Sequence, residues 1–145
     1  MAVFTITGAT GSVGRAIIQT LQSQSHEIRV LSTRKSVEIN GVSSFYWNPN
    51  TNEIDQDALI GSDYLIHLAG ATVSKRWTAA YKKQIMDSRV DGTQLLLSTM
   101  RRLKTPLKAV ISASAIGYYG SDLERLMKER DAPANDYLAA VTKTW

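Results

Sequence analysis

Apolar positions along the chain switch between two periods, short β-rich runs giving way to stretches spaced for a helix. Residues 3–7, VFTIT, form a first strand, and after a glycine turn Val13, Ala16, Ile17 and Leu21 recur at helical spacing. EIRVLSTR (27–34) reads as a second strand and SFYW (44–47) as a short third. DYLIHLAG (63–70) is a nearly unbroken apolar run of the kind a buried parallel sheet needs. Between the last two, NPNTNEID reads as a turn-rich loop. From about Thr78 to Arg102 the positions Ile85, Val90, Thr93, Leu97 and Met100 predict a long amphipathic helix despite Gly92, and KAVISASA (108–115) predicts another buried strand. Pro133 suits a first helical turn, with NDYLAAVTKTW as a closing helix. This alternation predicts a doubly wound, parallel α/β sheet with right-handed crossovers, in one domain over residues 1–145.

Composition narrows the function classes. The 145 residues are 43% hydrophobic and 21% charged, ordinary for a globular domain with a real core. Lysine and arginine exceed aspartate and glutamate by 17 to 13, and the pI is near 9.4. The basic residues are scattered, with only short pairs such as Arg34-Lys35, Lys82-Lys83 and Arg101-Arg102, so no nucleic-acid footprint is expected. There is no cysteine, and the two histidines lie far apart, so no metal site is expected. No apolar stretch reaches the roughly 18 residues of a membrane span. No charged start precedes an apolar segment as in a signal peptide, which makes a cytoplasmic location the expectation.

The first turn carries the chemistry. Gly8, Gly11 and Gly14 fall at a spacing of three between a strand and a helix. Gly8 suits a tight turn, Gly11 a close backbone approach to a pyrophosphate, and Gly14 close packing of helix on sheet. The N–H groups opening the helix around Thr10, Ser12 and Val13, with its dipole, would then hold phosphates. A dinucleotide cofactor is therefore expected on a Rossmann-type sheet. At the end of the second strand, where an NAD enzyme places a carboxylate on the ribose 2′-hydroxyl, stand Ser32, Thr33, Arg34 and Lys35. Two hydroxyls and two cations suit a 2′-phosphate, favouring NADP over NAD. Otherwise Arg34 and Lys35 are solvated loop charges.

TGATGSVG, DYLIHLAG, SRVDGTQLLL and SASAIGYYG, in that order, resemble the extended short-chain dehydrogenase/reductases, specifically the atypical YfcH-like epimerase family related to sugar-nucleotide epimerases. The resemblance runs through the whole chain. It implies that Leu68, Ala69 and Gly70 lie against the adenosine-ribose side of the cofactor and that the strand ending in Ser112 and Ser114 faces the nicotinamide. It also implies a nucleotide-sugar or small carbonyl substrate and hydride exchange with NADP. A working member needs a Ser or Thr, a Tyr, and a Lys four residues after the Tyr to lower the phenol pKa. Tyr137 stands where that tyrosine is expected, but four residues on is Val141, and Lys143 falls roughly 240° round the helix from Tyr137. Ser114, Tyr118 and Tyr119 remain as catalytic candidates beside Tyr137, or as strand-end packing and turn residues. The alternative function is a catalytically silent NADP-binding module, regulatory or associated with cell division. His67 reads as a core histidine, and Trp77, Tyr81 and Met86 as packing residues.

Extended members of the family continue roughly as long again. The chain thus resembles the cofactor half, its sheet incomplete on the C-terminal side and the substrate-binding portion absent. KAVISASA would then be an edge strand, which predicts a homo-oligomer or other edge-strand association.

Overall fold

The computed structural model describes residues 1–35, 37–39, 41–122 and 124–145. Six strands form one sheet: β1 (Val3–Thr7), β2 (Glu27–Ser32), β3 (Ser43–Asn48), β4 (Glu53–Ile54), β5 (Tyr64–His67) and β6 (Ala109–Ser112). Their order is β4-β3-β2-β1-β5-β6, parallel throughout except for β4, which runs antiparallel to β3. Three α-helices accompany them among the described residues: α1 (Ser12–Ser23), α2 (Ala79–Leu103) and α3 (Tyr137–Thr144).

The period of two in the strands divides the core into two layers. Ile6, Ile28, Val30 and Ile66 pack with Ile18 and Leu21 of α1. Leu31, Trp47 and Leu65 pack with Leu95, Leu96 and Met100 of α2, and with Ala58 and Leu59 of a short 3₁₀ turn. Helices on both faces make this the doubly wound α/β sheet that the alternation predicts, incomplete beyond β6.

Five details differ from the pattern. KAVISASA predicts a buried strand, but all four residues of β6 are exposed, because the strand pairs with β5 at the rim of the sheet. The buried stripe of α1 is Gly14, Ile18 and Leu21, at i, i+4 and i+7, leaving Val13 61% exposed in the first turn. In α2 the buried positions are Ile85, Gly92, Leu95, Leu96, Thr99 and Met100, while Leu97 is 38% exposed. The NPNTNEID stretch is structured: Asn48 Oδ1 accepts the Asn50 N–H at 3.1 Å, and Asn52 at φ 56° reverses the chain so that Glu53–Ile54 pairs with Trp47–Asn48. Finally, α3 starts beyond Pro133. Asp136 is its N-cap, Oδ1 accepting the Ala139 N–H at 2.8 Å, so Tyr137 is the first helical residue.

Candidate functional site: a cleft at the carboxyl ends of the strands

The strand order reverses between β1 and β5, and parallel sheets open a crevice at such a point, outside the carboxyl ends of the strands. A cleft of about 490 Å³ lies there. Its walls come from the ends of β1 (Gly8–Thr10), β2 (Leu31–Thr33) and β5 (Ala69–Ala71), the turn Trp47–Asn50, and Gln84 and Ser88 of α2.

The glycine turn is shaped by contact. Gly8 has φ +72°, and a Cβ on it would stand 2.8 Å from the Leu68 carbonyl carbon and 2.9 Å from the Ala69 nitrogen. A Cβ on Gly14 would stand 2.6 Å from Gly8 O and 2.7 Å from Ala9 Cα. Gly11 is different. It caps α1 with φ −72° and ψ 167°, and an added Cβ would meet only Gly8 O at 3.4 Å, an ordinary contact. The first helical hydrogen bond is Arg15 N–H to Gly11 O at 3.0 Å, so the N–H groups of Ser12, Val13 and Gly14 precede the ladder. No acidic side chain occupies the first turn of α1 and none among the described residues caps it, which leaves its positive end for an anion.

Thr7, the last residue of β1, braces the opposite wall. Its Oγ1 accepts the N–H groups of Leu68 at 3.1 Å and Ala69 at 3.2 Å, so its hydroxyl proton goes to His67 Nδ1 at 2.7 Å. That donation makes His67 the Nε2–H tautomer. The ring is 2% exposed, edge-on to Trp47 and Trp145, and its Nε2 has no partner among the described residues. Burial pulls its pKa from 6.5 down to about 4, so the ring is neutral near pH 7.

Of the residues expected at the cofactor, Gly8, Thr10, Ser32, Thr33, Ala69 and Gly70 line this cleft. Gly11, Ser12, Val13 and Gly14 form the adjoining start of α1. Leu68 contributes its pinned backbone, its side chain packing into the α1 layer. Arg34 lines a neighbouring hollow of about 490 Å³ with Arg15, Gln19 and Glu38, and Thr10 belongs to both spaces. Lys35 is exposed nearby and lines neither.

The catalytic candidates do not line the cleft. Ser114 is exposed after β6, and Tyr118 stacks edge-on with Tyr119 at 5.0 Å in a 3₁₀ turn. The Tyr137 hydroxyl donates to the Lys82 carbonyl oxygen, tying α3 to α2, and its ring meets Trp77 at 5.5 Å. Burial raises the Tyr137 pKa above 10.0, with the nearby Arg89 charge opposing. Val141 is 2% exposed, so a lysine at that position would have to bury its ammonium.

Sequence reasoning missed the Trp47–Asn50 wall, with Ala71, Gln84, Ser88 and Arg15. A signal existed for the first: in a parallel sheet the residues just after a strand face the crevice, and Asn48 and Pro49 follow Trp47. Arg15 comes straight after Gly14, and its Nε donates to Thr10 O at 3.1 Å, holding the glycine turn.

Comparison with known proteins places this cleft in context. The chain is 30% identical to the epimerase family protein ML0860 of Mycobacterium leprae over 145 residues, covering 99% of the chain but 46% of that relative. The crystal structure of human epimerase family protein SDR39U1 (isoform 2) with NADPH superposes with a TM-score of 0.77 at 24% identity, over 99% of this chain and 47% of that one. The nucleoside-diphosphate sugar epimerase from Corynebacterium glutamicum gives a TM-score of 0.77 at 31% identity, over 99% and 29%. The chain thus spans about half the length of the curated relatives it matches. The family described as NAD dependent epimerase/dehydratase matches residues 4–143, nearly the whole chain, and the protein belongs to that family.

Proposed function

We propose that the chain is the dinucleotide-binding part of an epimerase-like oxidoreductase and that it prefers NADP. One observation carries the reading: the uncapped, non-acidic start of α1 adjoins the cleft at the strand-order reversal, following a turn that packs without side chains at Gly8 and Gly14 and whose Gly8–Thr10 line the cleft. The pyrophosphate would sit over Gly11 and the N–H groups of Ser12 and Val13. The adenosine ribose would lie along Ser32 and Thr33, with Arg34, Lys35 and Arg15 toward a 2′-phosphate. Ala69 and Gly70 would flank the ribose from β5. When bound, the nicotinamide would supply a hydride acceptor or donor. The substrate class the family suggests is a nucleotide sugar or small carbonyl.

Titration with NADPH and NADH tests the binding. Wild type should take up NADPH, and Gly11→Val should abolish it while the chain still folds with an unfolding temperature lowered by only a few degrees, because an added Cβ meets only an ordinary contact and the remaining cost is a poorer N-cap. Undiminished binding by Gly11→Val would refute the phosphate position.

A second reading is a catalytically silent NADP-binding module, with regulatory or cell-division roles. It is favoured by the tethered Tyr137 hydroxyl and by the buried Val141 at the lysine position. The 145-residue chain is expected to bind NADPH without turnover. Oxidation or reduction of any nucleotide sugar or small carbonyl by this chain would reject the silent reading.

A further inference from the structure

The cleft rim at Gly70–Ala71 is held from behind by two consecutive residues of α2. Ser88 Oγ accepts the Ala71 N–H at 2.9 Å, and Arg89 Nη1 donates to the Ala71 carbonyl at 3.0 Å, so both backbone polar groups of that residue are engaged from one helical turn. The same Nη1 donates to Ile85 O at 3.1 Å, fixing the guanidinium against its own helix. Gly70 lies directly on that guanidinium. A Cβ there would stand 3.0 Å from Cζ, 3.1 Å from Nη1 and 3.2 Å from Nη2 of Arg89. Gly70 is not among the glycines with positive φ, so its backbone does not require glycine. The Trp145 indole, at the C-cap of α3, packs on the same guanidinium with its centroid 5.1 Å from Cζ. Arg89 forms no ion pair with a carboxylate among the described residues, and it does not itself line the cleft, whereas Gly70, Ala71 and Ser88 do.

We propose that Arg89 is the positioning residue of the Gly70–Ala71 rim: its planar fork is the reason residue 70 is glycine, and through it Trp145 of the closing helix bears on the cleft. A lysine keeps the charge but not the fork, so it would not substitute. The effect on dinucleotide affinity rests on the cofactor reading above; the effect on the rim does not.

The test is a double-mutant cycle in the 145-residue chain with Gly70→Ala, Arg89→Met and the double variant, Arg89→Lys serving the same comparison should methionine unfold the chain. Gly70→Ala should lower the unfolding temperature by several degrees in the wild-type background and by little once Arg89 is replaced, since the overpacking is gone. In nitrogen-15 spectra, Arg89→Lys should shift the Gly70 and Ala71 amides while those of β2 and β3 stay in place. NADPH affinity should fall about tenfold in Arg89→Lys and in Gly70→Ala. An equal loss from Gly70→Ala in both backgrounds, or unmoved Gly70 and Ala71 amides, overturns the proposal. Should wild type take up no dinucleotide, the cofactor reading fails and the thermal cycle and the amide shifts decide this proposal alone.

Discussion

At Gly8 and Gly14 the fold itself forbids a side chain, since a Cβ would enter backbone atoms at under 3 Å, whereas at Gly11 it does not. Substitution at Gly8 or Gly14 should therefore damage stability first, and only Gly11 separates binding from folding. Arg34 can be tested as cleanly. It is exposed, and its backbone N–H is bound to Ser32 Oγ at 3.1 Å, so Arg34→Ala leaves the turn intact. That change should weaken NADPH by about 1–3 kcal/mol, the value of a charge-assisted hydrogen bond, and leave NADH unchanged, measured by titration of both. Equal effects on the two cofactors would remove Arg34 from a 2′-phosphate site. His67 makes a pH expectation. Its folded pKa of about 4 lies below the unfolded 6.5, so above pH 6.5 neither state takes up a proton and the full stability is present. As pH falls from 6.5 toward 4, the unfolded chain is protonated and the folded chain is not, and stability drops, by a total on the order of 3 kcal/mol. Urea unfolding at pH 7 and pH 5 should show about 2 kcal/mol of this drop in wild type and a smaller loss in His67→Asn; identical drops would acquit the histidine.

Among the elements, α3 depends most on one residue. Asp136 caps it, and the helix then buries Ala139 and Val141, tethers Tyr137 to α2 and carries Trp145 onto Arg89 and His67. Asp136→Ala should cost about 1 kcal/mol. That corresponds to roughly 2–4 °C in unfolding temperature for a chain of this size. An unchanged unfolding temperature would mean that α3 does not unfold with the sheet. That cap was readable, since Asp136 precedes the apolar run, yet Pro133 drew the reading three residues early because both residue types mark helix starts. Periodicity located all the parallel strands and the long helix, because β1, β2 and β5 bury continuous apolar runs; it placed β6 but wrongly as a buried strand, since Ala109–Ser112 is apolar yet exposed. It missed β4, whose two residues are held by the Asn48 cap and the left-handed Asn52, features of side-chain bonding that no period encodes. The cleft divides similarly. Glycine spacing and strand ends pointed to Gly8, Ser32 and Thr33, and the family resemblance to Gly70, but Gln84 and Ser88 reach it only through the path of α2 across the sheet.

For the whole molecule, β6 sets the behaviour in solution. It is the last strand on its side, paired to β5 alone, and all four of its residues are exposed. Val110 and Ile111 point to opposite faces, yet they are 49% and 51% exposed, so neither face of the strand is covered. The chain past β6 adds Ile116 at 89% and Leu126 at 84% exposure, while α3 packs on the 3₁₀ turn and on α2 instead of closing the edge. An uncharged edge whose outward N–H and C=O groups pair with no other strand among the described residues, with apolar residues on both faces, is a template for another strand. The relatives are about twice as long, which gives them further chain that would be long enough to cover such an edge. The 145-residue chain by itself should therefore associate through β6, its weight-average mass in sedimentation rising above 16.0 kDa with concentration through the micromolar range. Ile111→Lys places a charge on the open edge without touching the cleft, and should return the mass toward that of the monomer while leaving NADPH affinity unchanged. A wild-type chain that holds the monomer mass at every concentration would show that the edge is closed by other means. Association that persists unchanged in Ile111→Lys would move the contact elsewhere, with the surface around Ile116 and Leu126 the next to be altered.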